Sequence, residues 1–168
     1  CVVQLSPGDG TVDVVKIALG QKRAPNLEKL LGDPGVTKIF HYARFDLAVL
    51  FHAFGVMPQP IFCTKVASKL TRTYTDRHGL KDLCRDLLGV ELSKQQQSSD
   101  WGAAELSEAQ MAYAASDVLH LHALVAKLKP VLAREGPADI AQACFDYLPT
   151  RARLDLMGWL DGDILDHS

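Results

Sequence analysis

The feature that most limits the fold is a junction. TKIFH (37–41) reads as a short buried strand, and it leads almost at once into ARFDLAVLFHAFG (43–55). Phe45, Leu47, Leu50 and Phe51 recur there at helical spacing, and Gly55 ends the run. A strand feeding straight into a helix is the unit of α/β architecture, because neither element can bury its apolar side alone. The pattern extends to both sides. Val2–Leu5 and Val12–Ile17 are β-branched runs around the turn residues Pro7-Gly8-Asp9-Gly10. Pro25–Leu31 is a short helix stopped by Gly32-Asp33-Pro34-Gly35, and Pro60–Thr64 is a further short strand.

Lys65–Leu70 reads as helical, 71–78 as a polar loop, and Leu80–Leu88 as an amphipathic helix ended by Gly89. After the aperiodic run SKQQQSSDW (93–101), Ser107 and Gln110 occupy the two positions of a capping box. The helix they open is expected to run through Met111 to about Leu128 and stop near Pro130, with another over Pro137–Tyr147. One domain over residues 1–168 is expected, with 131–168 as a helical C-terminal extension.

Composition narrows the partners. The chain carries a net charge of −2 and lacks a long apolar run, so neither a membrane span nor a global phosphate-coating surface is expected. Nucleic acid, if handled, is engaged in a compact site. Cys1, Cys63, Cys84 and Cys144 lie far apart without zinc-like spacing, which reads as free thiols and a cytoplasmic location.

Two features carry chemistry. Asp46 stands just after a strand, at the start of an apolar helix, where ligands gather in open α/β sheets. Tyr113 and Asp117 are four apart on a helix and share one face. Taken singly, each has a plain alternative: Asp46 as a helix-dipole partner, and the Tyr/Asp pair as a surface contact.

The longer strings tip the balance. HYARFDLAVL (41–50) and SSDWGAAELSEAQMAYAASDVLHL (98–121) resemble the second and third motifs of the RNase D-like DEDDy 3′→5′ exonuclease family, with CTKVASKL and HGLKDLCRDLLG between them. TRTYTDRHGLK, KQQQSSDW and the Asp-His-Ser tail are similar to a small single-domain branch of that family. The resemblance implies a ribonuclease H-like α/β fold with a mixed central sheet flanked by helices. It implies two divalent cations, Mg²⁺ or Mn²⁺, bound in part by Asp46 and Asp117, with Tyr113 orienting the attacking water. It implies a short-RNA substrate and a ring-shaped homo-oligomer, with an octamer as the candidate size. Oxygen ligands suit such hard cations, which is why carboxylates do this work.

The resemblance also implies an Asp-x-Glu on a first strand ahead of CVVQL, and residues 1–168 contain no such motif there. The expectation is that this strand lies upstream of the sequence given; the alternative is a truncated, inactive chain. Two other readings stay open: 3′-end trimming of longer structured RNA, and a catalytically silent RNA-binding or scaffold domain. Among weaker candidates, His41, Phe45, Lys94 and Gln97 are taken as substrate-binding, with strand capping, core packing and a solvated loop as the alternatives. The basic stretch Lys65, Lys69, Arg72, Arg77, His78, Lys81 and Arg85 guides RNA, contacts a subunit or forms a charged helix face. His120 and His122 are read as structural, Cys63 as a packing residue, and Trp101 and Trp159 as core or interface anchors.

Overall fold

A computed structural model describes residues 1–93 and 97–167. Four strands form two ladders among them. β1 (Val2–Leu5) pairs antiparallel with β2 (Asp13–Lys16), and β3 (Lys38–Phe40) pairs parallel with β4 (Ile61–Cys63). Strands of both directions are present as expected, but the two ladders are separate hydrogen-bonded units. The β1–β2 turn is closed by Asp9, whose carboxylate accepts from the Thr11 amide at 2.9 Å. Gly8 holds a φ of +89° there, and a Cβ would meet the His122 ring at 2.7 Å. Only glycine fits this position, and His122 accordingly serves as a floor for the turn.

Helix α1 (Pro25–Gly32) packs Leu27 and Leu31 against Leu50 and Phe54 of α2 (Ala43–Phe54), forming a small second cluster. The main core takes the other face of α2 through Ala43 and Leu47. It also includes α3 (Thr64–Thr71), α6 (Leu121–Glu135) and α7 (Ala138–Leu154). Phe62 of β4 and Phe145 of α7 meet there with ring centroids 4.6 Å apart. α6 lies mainly along α3, and α7 along α2. Residues beyond 131 therefore contribute to the common core through Leu132, Ala141, Phe145 and Ala152.

Four helices differ from the sequence expectation. Leu80–Leu88 begins as α4 (Leu80–Leu83) and widens into a π-helical turn over Cys84–Leu88, closed by Gly89 at φ +67°. The helix opened by Ser107 ends earlier than expected: α5 spans Glu108–Leu119, and His120 at φ −102°, ψ 0° breaks the run. Both halves of the capping box are formed. α6 then continues through Pro130 to Glu135, and Leu132 beyond the proline is buried in line with Leu121, Leu124 and Leu128. α7 likewise passes Pro149 and ends later than expected, at Leu154. Among the described residues no helix is long and apolar enough to cross a membrane.

Candidate active site

Between β1 and β3 runs a groove of about 830 Å³, walled by Val2–Leu5 on one side and Lys38–Phe40 on the other. Each wall is a strand paired along one edge only among the described residues. α2 delivers Asp46 to this groove, and α5, which packs on β1 and β2, delivers Asp117. The sequence-distant carboxylates share one space and carry no ion-pair partner among the described salt bridges. Burial, and then the charge of Asp117, push the Asp46 carboxyl up to about 7. Burial raises Asp117 as well.

Tyr113 lies one turn before Asp117. Burial, followed by the nearby Asp117 charge, raises its phenol above the ordinary value, so it stays protonated at neutral pH. Its ring packs on Trp101 at 5.9 Å between centroids. His41 lines the groove, with Nδ1 2.9 Å from the Thr64 hydroxyl. That hydroxyl donates to the Phe40 carbonyl at 3.2 Å. Nε2 is buried and makes no well-formed hydrogen bond among the described residues, although the His78 backbone acts on the ring. Burial, helped by the Lys65 charge, lowers the ring to about 4, which keeps it neutral.

The weaker candidates divide. Phe45 is 62% exposed beside Asp46, which rules out the core alternative. Gln97 sits exposed in a turn and does not line the groove, and Lys94 falls outside the described residues. Trp101 is half-buried and Trp159 42% exposed, so neither is a core anchor. Cys63 is buried, as expected of a packing residue. Much of the basic stretch is internal scaffolding. Arg72 is buried and bonds Ser68, the Arg77 carbonyl and Asp86, while Arg85 bonds Asp82 and Asp86. Lys65 instead lies over the Tyr42 ring, 4.7 Å from its centroid.

Sequence reasoning missed two supports of the site. Tyr42, at φ 64° and ψ 56°, holds the N-cap of α2 in the left-handed region. An aromatic residue there stores strain, and no glycine marks the position in the sequence. Arg44 forks onto Asp155 through two 2.7 Å bonds, and Arg151 bonds the same carboxylate. This network ties the first turn of α2, which carries Asp46, to the end of α7. Asp155 is thereby held below the usual carboxylate range, chiefly by the Arg44 bond, and is unavailable as a metal ligand.

Two desolvated carboxylates without a cation fit a divalent metal ion, which would relieve both burial and mutual repulsion. No third His, Cys, Asp or Glu joins them among the described residues. The donors present thus supply part of an oxygen shell.

Comparisons with known proteins point the same way. The ribonuclease D of Gluconacetobacter diazotrophicus is 43% identical over 139 residues, covering 83% of this chain and 35% of its own length. The chain spans about a third of the curated relatives it matches. Among solved structures, Brucella melitensis NrnC bound to pGG is 67% identical at a TM-score of 0.96, covering all of this chain and 81% of its own. The same protein with bound Mg²⁺ is 65% identical at a TM-score of 0.96, covering all of this chain and 82% of its own. The fold is therefore ribonuclease H-like, of the type seen in these exonucleases. With residues 1–133 matching the 3′-5′ exonuclease family model, the chain belongs to the 3′-5′ exonuclease family.

Proposed function

We propose that the protein removes nucleoside 5′-monophosphates from the 3′ end of short RNA, dinucleotides included. The observation that carries this reading is the meeting of Asp46 and Asp117 in one groove with no cation to balance them. The two carboxylates hold divalent metal, Mg²⁺ or Mn²⁺, and the family resemblance implies a pair of ions. Metal in such sites lowers the pKa of bound water and steadies a leaving oxygen. The chain's own groups do the rest. Tyr113, kept protonated, fixes the attacking water by hydrogen bonding. Phe45 offers an exposed face for base stacking, and His41 lines the groove in which the substrate lies. Water attack on phosphorus breaks the bond to the 3′-oxygen, leaving the phosphate on the released 5′-monophosphate.

The two carboxylates still needed are the Asp-x-Glu pair that the resemblance implies. A groove bounded by two half-paired strands suits an extended segment bearing them. Short-RNA preference is supported by the similarity to Brucella NrnC, which was solved with pGG. The homo-oligomeric ring rests on the family resemblance, and the exposed apolar side chains Leu156, Met157, Leu160 and Leu165 suit a contact surface. The test is Mn²⁺-dependent hydrolysis of a labelled RNA dinucleotide beside a long structured RNA, by the full-length protein and by residues 1–168 alone. The reading predicts turnover fastest on the dinucleotide, and only by the full-length protein. Faster cleavage of the long RNA would favour trimming of the ribonuclease D kind, and no turnover would leave a binding or scaffold domain.

A further inference from the structure

The segment between the described turn at Gln97 and the cap at Ser107 is held more firmly than a solvated loop requires. Gln110, on the first turn of α5, donates through its amide to Ser99 Oγ at 3.1 Å and to the Asp100 carbonyl at 3.0 Å. Asp100 Oδ1 accepts from the Gly102 amide at 3.0 Å, which tightens the turn around Trp101. From the far side, Lys16 at the end of β2 donates to the carbonyls of Ala103 and Ala104, the latter at 2.8 Å. A lysine engaged with two backbone carbonyls ties this loop to the end of β2. What the loop presents is one aromatic ring, Trp101, packed at 37° against Tyr113. Tyr113 lines a neighbouring cavity of about 340 Å³, with Leu92, Ala112, Ser116 and His120, and not the groove that holds Asp46 and Asp117.

We infer that Trp101 is a positioning residue that holds the Tyr113 ring in its working orientation, and that Lys16 is the remote latch that keeps Trp101 in place. This rests on the role given to Tyr113 above and adds how that role is enforced. A phenol displaced by about 1 Å loses its hold on the attacking water, and misplacement on that scale costs up to about a hundredfold in rate. Substrate and metal contacts lie elsewhere, so the loss falls on kcat and spares KM.

The test measures kcat and KM on an RNA dinucleotide with Mn²⁺ for the full-length protein and its Trp101→Leu, Trp101→Phe, Lys16→Met and Tyr113→Phe variants. We expect Trp101→Leu to lower kcat about 10- to 100-fold with KM within about twofold, and Trp101→Phe to restore most of it. Lys16→Met lowers kcat about threefold to tenfold, and combined with Trp101→Leu it adds little, because both act through one loop. Wild-type kcat in Trp101→Leu beside an impaired Tyr113→Phe overturns the positioning role while Tyr113 keeps its own. Wild-type kcat in Tyr113→Phe removes both. Losses of Lys16→Met and Trp101→Leu that add in full overturn the latch. Should Trp101→Leu fail to fold, Trp101→Phe and the exposed Lys16→Met carry the same test: no kcat change in Lys16→Met beside an impaired Tyr113→Phe contradicts the proposal.

Discussion

Asp46 and Asp155 flank the same arginine-bearing turn of α2, and the chain treats them in opposite ways. Asp155 receives a two-pronged Arg44 and a second bond from Arg151, and its carboxyl is held well below the ordinary range. Asp46, two residues beyond Arg44, is half-buried without a cation beside it, and desolvation, with Asp117 nearby, pushes it up to about 7. A carboxylate that serves the fold is neutralised by the fold. One that serves a ligand is left short of positive charge, so that the ligand supplies it.

The contrast can be broken in four ways. The largest effect belongs to turnover: Asp117→Ala should lower exonuclease activity of the full-length protein by about a thousandfold, the scale on which a group that stabilises the transition state acts. Its melting temperature in EDTA should not fall, since removing one of two half-buried like charges relieves repulsion in the apo fold. Asp155→Ala should do the reverse. It strands Arg44 and Arg151 and costs about 3 kcal/mol by urea denaturation, because removing one partner of a buried pair leaves uncompensated charge.

Next in size are the pH slopes in EDTA. Asp46 has a folded pKa of about 7, above its unfolded value of 3.8, so its contribution is full in acid and fades as pH rises between the two. Asp155 has a depressed folded pKa, so its contribution is full above its unfolded value and is lost as pH falls through the folded one. Melting curves from pH 3 to 8 should show Asp46→Asn removing the first slope and Asp155→Asn the second; unchanged slopes in both would contradict the assignment. The smallest effect belongs to Tyr42→Gly. Relief of left-handed strain worth ~1 kcal/mol, less the lost Lys65 contact, leaves stability level or slightly higher, while turnover drops because the start of α2 loosens. A clear loss of stability would show that the strain is not there.

How much of this could be read from the chain follows the range of each interaction. Asp46 was legible because a strand-to-helix junction is a local pattern, and Tyr113 with Asp117 because i,i+4 spacing on a helix is too. Their meeting in one groove was not local, and only the family resemblance carried it. Arg44 and Asp155 were invisible as a pair, since 111 residues separate them and neither flanking string marks the other. Tyr42 hid its backbone, because left-handed turns are sought under glycine or asparagine. Pro130 is the opposite case: it is a strong local stop signal, yet the helix passes it and buries Leu132 on the far side. Arg72 is one of a basic stretch that the sequence leaves open between guiding RNA, a subunit contact and a charged helix face, and packing turns it inward onto Ser68 and Asp86.

The most direct test of the central claim is a calorimetric Mn²⁺ titration of the full-length protein beside its Asp46→Asn, Asp117→Asn and Asp155→Asn variants. The account predicts binding in the wild type, its loss or severe weakening in Asp46→Asn and Asp117→Asn, and its retention in the less stable Asp155→Asn. Wild-type Mn²⁺ affinity in Asp46→Asn would contradict it, because the uncompensated carboxylate would then not be the one that waits for metal.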